Sequence, residues 1–127
     1  MKRIVTFAMA LLIMGSLSAQ SVVEKTLVKP VNLKGFATTE LHLNGEVQVE
    51  RWANDYAQFE INIKVHGLNS QILKSLVAAG RYNVKVEYTD DKVILSTPGL
   101  AKAVTIRGNK LKDEVLFKVF MPEIVKV

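Results

Sequence analysis

From Phe36 to Val65 apolar and polar residues alternate in one sustained phase. In "FATTELHL", Leu41 and Leu43 oppose Glu40 and His42; after Gly45, Val47 and Val49 stand among Glu46, Gln48 and Glu50. Beyond Ala53-Asn54-Asp55 the apolar set is Ala57, Phe59, Ile61, Ile63 and Val65, again all odd-numbered. Successive strand side chains point to opposite faces, so each run predicts a strand with one buried and one wet face. A hairpin about Ala53-Asn54-Asp55 would pair Val49 with Phe59 and Val47 with Ile61, and a slip of one residue would put Phe59 and Ile61 in water. Asn54 and Asp55 tolerate the left-handed backbone such a loop requires, and Trp52 would flank the turn opposite Tyr56.

The remaining pattern adds further strands and one break in period. Pro30 lacks a ladder donor, so Ser21 to Lys34 reads as an edge strand or lead-in. In "GLNSQILKSLVAAG", Ile72, Leu73, Leu76 and Val77 recur at helical spacing, which predicts a helix from Ser70 to Ala79, capped by Asn69 or Ser70 and stopped by Gly80. "YNVKVEYTDDKVILST" reads as a hairpin with Val84, Val86 and Tyr88 inward, a turn at Asp90-Asp91, and a return through Val93 and Leu95. "AVTIRGNKL" and "DEVLFKVFMP" are two more strands, the second apolar at both parities and so expected to be buried on both faces. The closing "EIVKV" is strand-like and is expected to pair with the lead-in near Val22 to Val28 or with itself in a second chain, which would make it a route to self-association. The expected fold is all-β with one short α-helix, its antiparallel hairpins in a sandwich-like or incomplete β-solenoid arrangement.

Composition changes this picture at the N-terminus. "MKRIVTFAMALLIMGSLSAQ" has basic Lys2 and Arg3, an apolar run from Ile4 to Met14 and then small residues, the layout of a secretory signal peptide. That run is far shorter than the ~20 residues needed to cross a bilayer, so no integral span is expected after cleavage. Cutting after Ala19 leaves residues 1-19 as presequence and 20-127 as one β-rich domain; cutting after Ser18, with Ser16 three residues before, fits the small-x-small rule better. No cysteine is present, so neither a disulfide nor a lipid-bearing cysteine is available. Lys2 and Arg3 account for two of the 17 basic residues, leaving 15 against 12 acidic and a net +3. A surplus of that size without a clustered basic face is not a nucleic-acid signature.

Beside this reading stands a resemblance. "GEVQVERWANDYAQFEINI", a short helix, and "GRYNVKVEYTDDKVILST" resemble the N-terminal part of adhesin-like exported proteins of bacteria, often from the Bacteroidetes, domains of unknown function with β-solenoid character. The likeness is one of strand rhythm over Asn32 to Val127. It implies an exported, adhesive or structural role and carries over no catalytic residue. In such proteins the segment resembling "VFMPEIVKV" leads into many short repeating strands, whereas this chain ends there.

Candidate chemistry is sparse. His42 and His66 would be cross-strand neighbours in the expected hairpin, close enough to share a metal, but no third ligand is identifiable and no metal or other cofactor is expected. Asp90-Asp91 is a turn, because adjacent carboxylates diverge where acid-base pairs must converge. Ser70, Ser75 and Ser96 lack a nucleophile elbow, and no glycine series could cradle phosphate. Lys102, Arg107, Lys110 and Lys112 make "KAVTIRGNKLK" the most basic stretch, which either keeps an edge solvated or faces an anionic glycan or other envelope component. Trp52 and Tyr56 either cap the hairpin or offer a sugar-stacking platform. The expectation is a non-enzymatic structural or adhesive binding module of the periplasm or cell surface, with no nucleic-acid partner. The alternatives are a small periplasmic metal-dependent enzyme or metal-binding protein using His42 and His66, or a ligand carrier built as a closed barrel.

Overall fold

The odd-numbered apolar residues of the long strands form one buried set. In the computed structural model, which describes residues 22–127, Ala57, Phe59, Ile61, Ile63, Val65, Phe117, Val119 and Met121 are fully buried. The signal-peptide assignment and its cleavage sites lie outside the described residues. Nine strands are present among those described: β1 (Val22–Val31), β2 (Thr39–His42), β3 (Glu46–Trp52), β4 (Ala57–His66), β5 (Lys85–Tyr88), β6 (Val93–Ser96), β7 (Thr105–Ile106), β8 (Asn109–Lys110) and β9 (Asp113–Pro122). One helix, α1 (Ser70–Ala78), and a 3-10 turn at Pro98–Ala101 complete them.

The strands form a four-stranded sheet in the order β1-β4-β9-β3, a three-stranded sheet β2-β6-β5, and the two-stranded ribbon β7-β8. Val93 and Leu95 of β6, Leu73 of α1 and Tyr82 join the odd face of the large sheet in a single core. The mostly-β class with one short helix is therefore as expected, the sheets being mixed and antiparallel. Among the described residues they do not close into the barrel on which the carrier alternative was built.

The expected β3-β4 hairpin is corrected. β9 lies between the two strands, antiparallel to β4 and parallel to β3. The anticipated correspondence survives one strand removed: Val49 aligns with Val119, which aligns with Phe59, and Val47 aligns with Phe117, which aligns with Ile61. Neither Asn54 nor Asp55 takes positive φ, so Ala53-Asn54-Asp55 is a wide crossing and not a tight turn. β9 wins the slot because a strand with Phe117, Val119 and Met121 on one face gains most from neighbours on both sides. Its other face is only half-buried at Leu116, Lys118 and Phe120, which corrects the reading of a strand buried on both faces. Gly45 admits the chain beside it, since a Cβ there would meet the Val115 carbonyl oxygen at 2.7 Å.

Pro30 sits in β1 at the sheet edge, as its missing donor requires. The helix begins at its Asn69 cap, whose side chain accepts from the Ile72 N–H at 3.0 Å, and Gly80 follows at φ 89°. The β5-β6 hairpin turns at Asp90-Asp91, with Thr89 and Lys92 bonding across it. Tyr88, expected inward, instead lies at the surface with its hydroxyl donating to the Asn32 carbonyl at 2.6 Å. The closing segment is also corrected. It turns at Pro122, buries Val125, and bonds through Lys126 to Ala37 and Thr39, not to β1.

Candidate functional site: a basic groove at the β7-β8 ribbon

"AVTIRGNKL", expected to be one strand, folds back on itself. Ile106 pairs with Asn109 across a two-residue loop in which Arg107 and Gly108 both have positive φ, 52° and 81°. Hairpins favour this double left-handed geometry because its twist matches the strands, and they normally place Asn or Asp before the glycine. Arginine at the first position is a local departure from that preference, of the kind that concentrates at functional sites. The local signal for this turn is Gly108, a glycine inside an apparently alternating run.

The ribbon forms one wall of a groove of about 600 Å³ lined by His66, Gly67, Leu68, Ile106, Arg107, Asn109, Lys110, Leu111 and Lys112. Three of the four basic residues singled out from the sequence thus converge on one concavity. Lys102 does not line it; its carbonyl accepts from Arg81 Nη1 at 2.9 Å. His66, at the end of β4, joins the lining, and its Nε2 lies 2.7 Å from Glu114 Oε2. Leu68, Ile106 and Leu111 add apolar side chains to the lining. Several cationic side chains beside apolar ones can hold an extended anion, and no Ser, Thr or Cys is among the lining residues.

The groove is held from below by a buried ion pair. Arg81 donates through Nε to Asp113 Oδ2 at 3.0 Å and through Nη2 to Oδ1 at 3.3 Å, and the Tyr82 hydroxyl donates to Oδ2 at 2.7 Å. Arg81 Nη1 also reaches the carbonyls of Gly99 and Lys102. These bonds fasten the 3-10 turn and the segment leading to the ribbon onto the start of β9. Burial alone pushes the Asp113 carboxyl up, but the hydrogen bonds from Arg81 and Tyr82 outweigh it and hold the group below the usual carboxylate range. Burial, and then the Asp113 carboxylate, push the Tyr82 phenol up.

Trp52 and Tyr56 lie at the other end of β4, beside the crossing over β9. The Trp52 indole N–H donates to the Tyr56 carbonyl at 2.8 Å, and its ring stacks on Phe120 at 5.1 Å and 26°. Tyr56 meets the same indole edge-on at 5.1 Å. Trp52 therefore bridges β3 to β4 over the inserted strand, and its polar atom and one face are already used. Tyr56 also lines a second groove of about 660 Å³ with Pro30, Val31, Asn32, Gly35 and Asp55.

His42 and His66 are not neighbours, which corrects the geometry expected of them. His42 is on β2 of the small sheet, 3.1 Å from Glu40, while His66 is on β4 of the large one beside Glu114. The hairpin that would have juxtaposed them is absent. Among the described residues no group of three or more His, Asp or Glu side chains is placed to hold a metal ion. No helix among them is long and apolar enough to cross a membrane.

No family model matches the sequence, and no curated protein matches it. In three dimensions the chain resembles the crystal structure of a "putative cell adhesion protein" from Clostridium sporogenes ATCC 15579, with 17% identity and a TM-score of 0.43. The superposition covers 81% of this chain and 44% of that one, so this chain spans less than half the length of its neighbour. A likeness at this level assigns neither a family nor a function.

Proposed function

We propose that this chain is an exported, non-enzymatic binding module of the periplasm or cell surface, with an adhesive or structural role, and that the basic groove receives an anionic glycan or another anionic envelope component. The observation that carries the reading is the convergence of Arg107, Lys110 and Lys112 with His66 on one groove, with Arg107 at a strained hairpin tip. Guanidinium and ammonium groups recognise carboxylate, sulfate or phosphate through charge-assisted hydrogen bonds, and an extended anion can meet several at once. The basic and apolar N-terminal pattern supports export.

Calorimetry with a sulfated polysaccharide and with lipopolysaccharide tests this, using a duplex oligonucleotide of matched charge for comparison. Binding is expected to weaken as salt rises. Replacing Arg107 and Lys110 by Ala should weaken it by about tenfold per residue, the scale of a lost charge-assisted contact. Lys25→Ala on β1 should leave it unchanged. Absence of binding to either glycan, or binding indifferent to Arg107 and Lys110, would remove the reading, and equal affinity for the oligonucleotide would replace the glycan with a nonspecific polyanion.

A further inference from the structure

The two edges of the large sheet are finished differently. β1 carries Pro30 and sets Lys25 and Lys29 among the core-side positions, both devices that discourage a further strand. β3 has neither a proline nor a lysine and runs in unbroken register from Glu46 to Trp52 along β9. Among the described residues nothing pairs with its outer side. Val47 and Val49 are 37% and 41% exposed, yet each ends a row whose next two members are fully buried: Phe117 and Ile61, and Val119 and Phe59. The apolar rows of the core thus run out to an open edge.

Backbone direction fixes how a further strand could attach. The Trp52 carbonyl accepts from the Glu123 N–H at 3.2 Å, so Trp52 turns its polar backbone groups toward β9. Alternation turns those of Glu46, Gln48 and Glu50 the same way and leaves the N–H and C=O of Val47, Val49 and Arg51 facing outward, spaced symmetrically about Val49. We propose that β3 pairs with β3 of a second copy, antiparallel about a two-fold axis at Val49, joining two four-stranded sheets into one.

In this register Val49 meets the partner's Val49, Val47 meets the partner's Arg51, Gln48 meets the partner's Glu50, and Glu46 meets the partner's Trp52. No like charges stand in direct opposition. Centring the axis on Gln48 would set Glu46 against the partner's Glu50, and centring it on Glu50 would set that residue against itself. Centring it on Arg51 would set that residue against itself, and centring it on Val47 would pair only Glu46, Val47 and Gln48 of the strand. The Val49 register pairs the whole of Glu46–Trp52 with no like charges opposed, and this self-complementarity identifies the occupant as a second copy.

Sedimentation velocity on the exported protein, purified from cells expressing the full chain, tests this. A concentration-dependent dimer is expected, with the amides of Val47, Val49 and Arg51 protected from hydrogen exchange. Val49→Lys should give a monomer at every concentration, with the thermal midpoint of the wild-type protein diluted below its dimer range, because the position is exposed in a single copy. Val49→Pro should do the same, since the N–H it removes is not bonded to β9. Val28→Lys, on the opposite edge at a position 56% exposed, should leave the dimer intact. A wild-type monomer at all concentrations, a dimer that survives Val49→Lys, or freely exchanging Val49 amides in a dimer would each overturn the proposal.

Discussion

Arg81 and Asp113 have side chains only 9% and 8% exposed and meet through two hydrogen bonds, with Tyr82 adding a third. Charges this far from water are tolerable only when paired and hydrogen-bonded, so removing one leaves the other at its full desolvation cost. Asp113→Asn is expected to lower unfolding free energy by about 3–5 kcal/mol, read from denaturant midpoints. The folded-state pKa of Asp113 is depressed, so its stabilisation is fully present above the unfolded value of about 3.9 and is lost as pH falls through the lower folded value. Acid titration of stability should therefore lose part of its slope below pH about 4 in Asp113→Asn. An identical slope would show that another carboxylate governs the acid limb. Neither Arg81 nor Asp113 stood out in the sequence, because 32 positions separate them and no local pattern marks a residue whose partner arrives through the fold.

At the scale of elements, the link Ala53 to Tyr56 decides the architecture by crossing the full width of β9. Two inter-strand spacings are about 10 Å, which a two-residue link can barely span and a tight turn cannot. Replacing Ala53-Asn54-Asp55-Tyr56 with Asn-Gly would favour a direct β3-β4 hairpin and expel β9 from its slot. The unfolding free energy should fall by at least about 2 kcal/mol, since Phe117, Val119 and Met121 then lose a neighbour. Unchanged stability together with retained β9 amide protection would refute the inserted strand. Parity within β4 could be read directly, because alternation is a local property. Which strand lay beside it could not be, because both the hairpin and the insertion satisfy the same phase.

The whole molecule is closed by contacts from the far end of the sequence. Val125 is buried, Lys126 exchanges backbone bonds of 2.8 Å with Ala37 and Thr39, and Arg51 Nη1 donates to the carbonyls of Pro122 and Val125. This segment thus ties β3, the lead into β2, and the end of β9 together. Removing residues 123–127 is expected to cost about 2–4 kcal/mol, the sum of one buried valine and two backbone bonds, with no change in oligomeric state. A truncated protein of equal thermal midpoint would show the contacts to be incidental. An antiparallel β3 dimer would carry the two basic grooves at opposite ends of the joined sheet, because each groove lies toward the Glu46 end of β3.

The sequence by itself determined the β-rich class, the buried parity of β4, the extent of α1 with a cap at Asn69 or Ser70, the edge position of Pro30 and the turn at Asp90-Asp91. Each follows from side-chain alternation, backbone preference or capping within a few residues, which are local and additive. The tertiary structure alone decided the insertion of β9 between β3 and β4, the separation of His42 from His66, the internal pairing of "EIVKV", and the convergence of Arg107, Lys110 and Lys112 with His66. Those outcomes turn on competition between distant segments for the same sheet edge, and the competitor with the larger apolar face wins wherever the link is long enough to let it in.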